Sequence, residues 1–294
     1  MQIGGINISV ECRTADICLP LEPVYQGFAE KSKTTSADAS DITVSLEIDD
    51  MPDIEGMKKI FESGSSWSML LDGEDRLISL KPPEFENPVW MARMGKDYRD
   101  VTVYCGNELI GKNREKQEIP SPVCYPLDQI LVMYFLSERQ GALIHAAGVE
   151  VKGKGLVFPG KSGAGKSTLC SQISKRPNIK PFSDDRMIVK KEEGRFVAYG
   201  TPWPGEAGIA ENKSVQLSGL MFLSQGQENR IKKISNRQAM ERLMPVTSIP
   251  WYDKPVMEDV LGFCGAIATE IPTYELEFRP EVGVVDVIEE FMQE

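Results

Sequence analysis

A glycine-rich stretch in the middle of the chain combines the residue types and the spacing that bind phosphate groups. Residues 158–170 read "FPGKSGAGKSTLC", which fits the pattern G-x-x-x-x-G-K-[ST]. Glycines let the backbone turn so tightly that successive N–H groups point at one anion, and a following helix adds its positive N-terminal end. The residues predicted to bind the phosphates of a nucleotide are Gly160, Lys161, Ser162, Gly163, Ala164, Gly165, Lys166, Ser167 and Thr168.

Three side chains of this stretch have distinct predicted roles. Lys166 would reach the β- and γ-phosphates, and the hydroxyl of Ser167 would be a ligand of Mg²⁺. Thr168 would contact an α-phosphate oxygen. Motors, switches, transporters and kinases all share this pattern, so the use made of the phosphate has to be inferred from other residues.

A pair of adjacent acids follows the glycine-rich stretch. Asp184 and Asp185 lie in "KPFSDDRMIVKK", just before the apolar run "MIV". Two neighbouring carboxylates can divide the work of phosphoryl transfer, one holding Mg²⁺ and the other accepting a proton from an attacking hydroxyl. The alternative is a solvated acidic turn, and the sequence leaves open which aspartate takes which role.

The chain has one histidine, His145, placed between "ALI" and "AAGV". A lone histidine beside an apolar strand is commonly a packed core residue. We expect its strand to run beside the strand that leads into the glycine-rich stretch, which would bring the imidazole to the phosphates. His145 is therefore also a candidate proton relay or phosphate contact.

The segment "YGTPWPGEAG", residues 199–208, concentrates glycine and proline around one tryptophan and one glutamate. Such a composition favours a rigid loop with its backbone available to a ligand. Trp203 and Glu206 are the predicted substrate contacts in this loop. A plain surface loop is the alternative.

The elements that must position these residues can be predicted from periodicity. "GLVFPG" indicates a buried strand and "STLCSQISKR" a helix, so the glycine-rich stretch has the strand-loop-helix context that phosphate binding needs. "LDQILVMYFLSERQ" predicts a helix after Pro126. Before it, segments that alternate apolar and polar residues predict strands, "MPDIEGMKKIFESG" a short helix, and residues 111–122 a connector. We therefore expect a β-rich domain at 1–125 and an α/β domain at 126–294.

The composition narrows the function classes. The net charge is −11 with no basic run, which argues against nucleic acid and anionic membranes as partners. No apolar run approaches the roughly 20 residues of a membrane span, and the N-terminus lacks the features of a signal peptide. The 6 cysteines are scattered without C-x-x-C pairs. This pattern indicates reduced thiols in a cytoplasmic protein and no structural zinc site.

These motifs together resemble a known family. His145, the glycine-rich stretch and the run Ser183-Asp184-Asp185-Arg186 resemble the kinase domain of bacterial HPr kinase/phosphorylase, of the phosphoenolpyruvate-carboxykinase-like group of P-loop folds. "YPLDQILVMYFLS", "IHAAGV" and "YGTPWPGEAG" look more like the HPr-kinase-related branch of that family. Some members of that branch sit beside peptide-modification gene sets, where relatives phosphorylate a precursor peptide.

The resemblance implies a mixed sheet in residues 126–294 and a division of roles at the site. It implies that Ser167 and Asp184 hold Mg²⁺, that Asp185 is the base, and that Arg186 contacts the substrate. HPr kinases assemble as hexamers, so a homo-oligomer is implied as well. The E-[IV]-R-G-x-G signature of true HPr kinases has no match here, which puts HPr as the substrate and the reverse reaction in doubt.

The leading prediction is an ATP-dependent kinase that uses Mg²⁺ and transfers the γ-phosphate to a hydroxyl of a peptide, a protein or a small molecule. The alternative is a nucleotide-sensing module with little phosphotransfer. A carboxykinase-type lyase would need a second metal site and an arginine cluster, and a motor ATPase would need an apolar strand ending in Asp-Glu. Neither pattern is present, so both rank low.

Overall fold

The computed structural model describes residues 1–12, 17–29, 40–48, 51–64, 66–113, 116–280 and 283–293. Contacts between residues divide the chain into two compact units. The first comprises Met1–Gln2 and Ile6–Phe135, and the second comprises Ile3–Gly5 and Leu136–Glu294. Each unit is built on a mixed β-sheet, and helices are few, so the protein is a mixed α/β structure.

The first part of the chain is dominated by strands. Its strands are β1 (Gln2–Ile3), β2 (Ile6–Cys12), β3 (Ile17–Cys18), β4 (Ile42–Ile48), β5 (Lys58–Ser63), β6 (Trp67–Asp72), β7 (Asp75–Leu80), β8 (Trp90–Met94), β9 (Asp100–Cys105), β10 (Gly111–Asn113) and β11 (Lys116–Glu118). Single 3-10 turns occur at Pro23–Tyr25 and Asn107–Leu109. The large sheet has the order β1-β2-β4-β9-β8-β7-β6-β5, and β10, β11 and β3 form a small separate sheet.

The prediction of a short helix at residues 51–64 is wrong. Residues of its second half form strand β5, which pairs antiparallel with β6 at the end of the large sheet. Lys58 and Lys59 are exposed on this strand, whereas Met51 and Met57 pack against the cluster of Leu70, Leu77 and Met91. Pairing to β6 and this local packing outweigh the helix-favouring composition of the segment.

The second part of the chain alternates strands and helices. After helix α1 (Leu127–Ser137), where a helix was predicted, come β12 (Gly141–Val151), β13 (Lys154–Pro159), α2 (Lys166–Ile173), β14 (Ile179–Ser183), β15 (Arg186–Glu192), β16 (Arg195–Gly200), β17 (Ser214–Gln225), β18 (Arg230–Lys233), α3 (Asn236–Leu243), α4 (Lys254–Glu270), β19 (Thr273–Phe278) and α5 (Gly283–Phe291). A 3-10 turn at Met244–Val246 follows α3. Throughout the described ranges, no helix combines the length and apolar character needed to cross a membrane.

The sheet of the second unit contains a closed ring of strands. Its order is β13-β12-β15-β16-β17-β19-β18, β14 also pairs with β12, and β13 pairs with β17. The first half of β12 pairs with β15, and its second half pairs with β13 and β14. The expectation that the strand of His145 runs beside the strand before the glycine-rich stretch is confirmed.

Three strands of this sheet run in the same direction. Strand β17 is parallel to both β13 and β19, so the carboxyl ends of these strands lie at one edge of the sheet. Ligands of α/β sheets commonly bind outside the carboxyl ends of parallel strands. The glycine-rich stretch follows β13 at this edge and leads directly into α2.

The helices of the second unit complete two separate apolar clusters. One cluster joins β12, β15, β16 and β17 to α3 and α4, with Phe196, Phe222 and Phe263 among its buried members. The other joins β12, β13 and β19 to α2 and α5, with Phe158 and Phe278 buried. Helix α2 is therefore held by packing on its inner face, which fixes where its N-terminal end lies.

Candidate active site

The glycine loop, residues 160–165, connects β13 to α2. Gly163 has φ of 80° and Gly165 has φ of 100°, in the left-handed region that residues with a Cβ adopt only at a cost. A Cβ on Gly165 would also lie 2.8 Å from Cζ of Phe278. The loop therefore depends on Gly165, which the motif specifies, and on Gly163, which lies at a variable position of the motif.

The N-terminal end of α2 is available to an anion. Gly165 is the N-cap residue and has no side chain that could cap the helix. The first N–H groups of a helix lack acceptors within the helix, and the helix dipole makes this end positive. Ser167 and Thr168 lie in this first turn, so their hydroxyls stand beside the same N–H groups.

The side chain of Lys166 is buried under the glycine loop, with 6% of its surface exposed. Its Nζ donates to the carbonyl oxygens of Gly160 at 2.8 Å and Lys161 at 3.4 Å, and it lies 2.8 Å from Nε2 of His145. Burial lowers the pKa of Lys166, and the charge of Asp185 partly offsets that effect. The lysine is thus positioned by the loop that would carry the phosphates.

His145 lies between Lys166 and Asp185. Its Nε2 is 2.7 Å from Oδ1 of Asp185 as well as 2.8 Å from Nζ of Lys166. One ring nitrogen can donate to a carboxylate or accept from an ammonium group, but it cannot do both at once. Whether Nε2 carries a hydrogen therefore decides which of the two neighbours the ring holds.

Main-chain hydrogen bonds fix this cluster. Gly160 N–H donates to the carbonyl of His145 at 3.0 Å, and Ala146 N–H donates to the carbonyl of Asp185 at 2.9 Å.

The hydrogen bond from His145 lowers the pKa of Asp185, and the positive charges of Arg186 and Lys166 lower it further. Asp185 is accordingly ionised at neutral pH.

The two neighbouring aspartates have different surroundings. The carboxylate of Asp184 is 1% exposed and accepts backbone N–H groups from Gly205 at 2.9 Å, Ala207 at 2.7 Å and Ile209 at 3.2 Å. Asp185 instead has a third of its side chain exposed and contacts side chains, those of His145 and Arg186. Only one of the two carboxylates is therefore open to exchange partners with a ligand.

Two buried hydroxyls hold the turn that carries these aspartates. Ser183 and Thr201 both donate to the carbonyl of Arg186, at 2.7 Å and 2.6 Å. Neither side chain is exposed to solvent. Together they join the turn between β14 and β15 to the start of the loop after β16. The sequence analysis gave neither hydroxyl a role, because a hydroxyl that donates to a backbone carbonyl leaves no specific pattern in the sequence.

These residues surround one pocket with a volume of about 680 Å³. This size suits a small organic ligand. Predicted site residues that line it are His145, Ser162, Gly163, Gly165, Lys166, Ser167, Thr168, Asp184, Asp185 and Glu206. The histidine, the glycine loop, the acidic pair and the loop after β16 thus lie around the same space.

Other predicted site residues lie outside the pocket lining. Gly160 and Lys161 provide carbonyl groups to Lys166, whereas the side chain of Trp203 is buried with 6% exposed. Arg186 Nε lies 3.6 Å from Oδ2 of Asp185. Ala164 also lies behind the lining, and its N–H donates to the carbonyl of Lys161.

Two lining residues were not predicted, Gly205 and Gln225. Gln225 is the last residue of β17, at the edge where the parallel strands end. The polar pair Ser224-Gln225 after the apolar run "LMFL" was the available signal. It acquires meaning only when β17 is known to lie beside β13.

Comparisons with known proteins give a partial match. The model of a family described as "SynChlorMet cassette protein ScmC" matches residues 124–260. No curated protein matches the chain. A solved structure of the Hpr(Ser) kinase/phosphatase from Coxiella burnetii aligns with 51% of this chain and 88% of that chain, at 13% identity and a TM-score of 0.29. That structural similarity is weak.

Proposed function

We propose that this chain is an ATP-dependent kinase that uses Mg²⁺ and transfers the γ-phosphate of ATP to a hydroxyl acceptor on a peptide, a protein or a small molecule. The observation that carries the proposal is the cluster of Lys166, His145 and Asp185 beside the glycine loop. A backbone cradle, a cation and an ionised carboxylate at one point are the parts that phosphoryl transfer requires.

On the donor side, the backbone N–H groups of the glycine loop and of the first turn of α2 would bind the phosphates. Lys166 would then donate to phosphate oxygens in place of the carbonyls and the ring nitrogen that it now contacts. Because the lysine is buried, its charge acts on the phosphates with little screening by water. Phosphate binding would free Nε2 of His145 from Lys166, so that it hydrogen-bonds only to Asp185.

The residues present fit a magnesium ion. In the described part of the chain no group of three or more His, Cys, Asp or Glu residues forms a metal cage. Mg²⁺ does not need one, since it takes one or two carboxylates together with phosphate oxygens and waters. The hydroxyl of Ser167 and one carboxylate of the acidic pair in the pocket would hold the ion, which would neutralise part of the phosphate charge.

On the acceptor side, Asp185 would bind the hydroxyl of the substrate. The hydroxyl oxygen would bond to the γ-phosphorus while the bond from that phosphorus to the bridging oxygen of ADP breaks. The bridging oxygen retains the electron pair and leaves with ADP, and the hydroxyl proton passes to Asp185. The lowered pKa of Asp185 keeps it ionised before transfer, and His145 orients it.

The proposal is tested by incubating the purified protein with Mg²⁺ and γ-labelled ATP. The acceptors are a library of serine- and threonine-containing peptides and a panel of small alcohols. We expect label in an acceptor with the wild type and a loss of about 10²–10⁴-fold in Asp185→Asn. Asp259→Asn, which removes an exposed acid on α4, serves as the matched control and should behave as the wild type.

A nucleotide-sensing module is the second candidate, and the engagement of Asp184 favours it. With the carboxylate of Asp184 occupied by backbone N–H groups, fewer acidic groups remain free for chemistry than the sequence suggested. A sensor would bind ATP with the same dependence on Lys166 and would label none of the acceptors. That combination of results would replace the kinase proposal with the sensor.

A further inference from the structure

The segment 205–209, called here the 205–209 turn, is organised by one carboxylate. Gly205 and Ile209 donate their N–H groups to Oδ1 of Asp184, and Ala207 donates its N–H group to Oδ2. The three donors belong to alternate residues, so the backbone curves around the aspartate. The carboxylate is 1% exposed, which makes these hydrogen bonds its substitute for hydration.

This arrangement leaves Asp184 little capacity for another ligand. A carboxylate has about four lone-pair positions, and three are already used by N–H groups. Hydrogen bonds to an ionised acceptor are stronger than neutral ones, and removing a buried partner leaves its donors unsatisfied. A direct magnesium contact would require Asp184 to give up part of this set.

The backbone passes close to the aspartate at Gly205. A Cβ on Gly205 would lie 3.1 Å from Oδ2 of Asp184 and 3.1 Å from Cβ of Asp185. Such contacts are tighter than most real Cβ contacts, so an added side chain would require the turn or the aspartates to shift by a few tenths of an ångström. The turn at Gly205 therefore packs closely against both Asp184 and Asp185.

We propose that Asp184 is a positioning residue: its carboxylate holds the 205–209 turn and thereby places Glu206 in the pocket, while Asp185 supplies the carboxylate that contacts substrate or metal. Glu206 lies between two of the anchored N–H groups and lines the pocket with an exposed side chain. The statement about Asp185 rests on the proposed kinase function. The statement about Asp184 and the turn does not.

The test measures backbone hydrogen exchange by mass spectrometry in the nucleotide-free protein. Asp184→Asn puts an amide group where an ionised acceptor stood, so its NH₂ faces at least one N–H donor. We expect exchange across residues 205–209 to rise at least tenfold in Asp184→Asn and to stay within twofold of the wild type in Asp185→Asn. Glu206→Gln should also leave exchange unchanged, since its side chain is not part of the hydrogen-bonded set.

A second variant separates positioning from direct metal contact. Gly205→Ala keeps both carboxylates but pushes the turn away from Asp184, whereas Gly265→Ala on α4 meets nothing within 4 Å and is its control. Under the proposal Gly205→Ala reproduces the faster exchange of Asp184→Asn and shifts the half-saturating Mg²⁺ concentration for nucleotide binding in the same direction. It also provides the measurement if Asp184→Asn does not fold.

Two results would overturn the proposal. One is exchange across the turn that stays within twofold of the wild type in both Asp184→Asn and Gly205→Ala. The other is an Asp184→Asn variant that raises the half-saturating Mg²⁺ concentration tenfold without changing exchange, as expected of a direct ligand. Because exchange is read without ATP or acceptor, absence of kinase activity in the wild type leaves this outcome unaffected.

Discussion

The 205–209 turn presents backbone N–H groups to an anion of the protein itself, and the glycine loop is proposed to present them to an anion of a ligand. In the 205–209 turn the anion is internal, and three N–H groups converge on the carboxylate of Asp184. In the glycine loop the end of α2 faces a pocket, with Lys166 as the accompanying cation. The 205–209 turn, called here the closed cradle, already has its anion within the protein. The glycine loop with the first turn of α2, called here the open cradle, faces the pocket and is open to a ligand.

The difference explains why the sequence predicts an anion site at the glycine loop but gives no sign of the one at the 205–209 turn. An open cradle for an external phosphate needs a fixed local set of glycine, lysine and hydroxyl residues, because all of its parts are adjacent in the chain. A closed cradle uses N–H groups, which nearly every residue type has. Its anion is more than twenty residues away, so no local pattern records the pairing.

The largest expected effect comes from removing the cation of the open cradle. Lys166→Ala should lower ATP affinity at least tenfold and abolish transfer to within the detection limit, because the buried positive charge aimed at the phosphates is lost. Isothermal titration calorimetry and the labelled-ATP assay measure the two quantities. Lys154→Ala, at the opposite end of β13 and exposed, is the matched control. Unchanged affinity in Lys166→Ala would mean that the open cradle is not the nucleotide site.

The next effect tests the backbone of the open cradle. Gly165→Ala places a side chain at φ of 100° and against Phe278, so we expect a loss of about 1–3 kcal/mol in the free energy of unfolding and weaker ATP binding. Urea denaturation and calorimetry report the two effects. Gly265→Ala should be neutral or stabilising, and a neutral Gly165→Ala would contradict the description of the loop.

A smaller effect concerns the support of the closed cradle. Thr201→Val and Ser183→Ala each remove one hydroxyl from the carbonyl of Arg186, and the remaining hydroxyl still satisfies that carbonyl. We expect each single variant to lower the free energy of unfolding by about 0.5–1.5 kcal/mol. The double variant should lower it by more than the sum of the two single losses. Denaturation of all three measures this coupling. Thr269→Val, which removes an exposed hydroxyl on α4, provides the baseline, and strict additivity would show that the two hydroxyls act independently.

The smallest effect concerns proton sharing beside the open cradle. His145→Phe removes the hydrogen bond that does most to lower the pKa of Asp185, so that pKa should rise towards its ordinary value. A depressed carboxyl pKa stabilises the fold above the ordinary pKa, and the gain disappears as pH falls through the folded-state value. The difference in the free energy of unfolding between His145→Phe and the wild type should therefore become smaller as the pH falls. Carbon NMR titration of Asp185 checks the pKa, and an unchanged value would exclude His145 as its main partner.

Local parts of the fold could be predicted because their signals are adjacent in the chain. The helix after Pro126, the strand before the glycine loop and the helix after it all occur where apolar periodicity placed them. The neighbouring position of the His145 strand was also predicted correctly. These features depend on short-range patterns that tertiary contacts reinforce.

Other parts depended on contacts between one segment and another. Residues 58–63 form a strand because β6 offers them a partner, although their composition favours a helix. Gln225 reaches the pocket because β17 lies beside β13, and Trp203 is buried although its loop borders the pocket. The surroundings of Asp184 likewise come from a loop that follows two intervening strands. The β5–β6 pairing joins neighbouring strands, but in the contacts of Gln225 and Asp184 the two partners lie far apart in the sequence.

The closed ring of strands has a thermodynamic consequence for the pocket. Strand β13, which carries the glycine loop, is hydrogen-bonded to β12 on one side and to β17 on the other. This strand cannot leave the sheet unless the hydrogen bonds to both neighbours break. A ligand bound to the glycine loop therefore stabilises the whole ring of strands. A ligand at 100 times its Kd adds about 2.7 kcal/mol to the stability of the form that binds it. The melting temperature of the protein can therefore reveal which nucleotide it prefers before any acceptor is known.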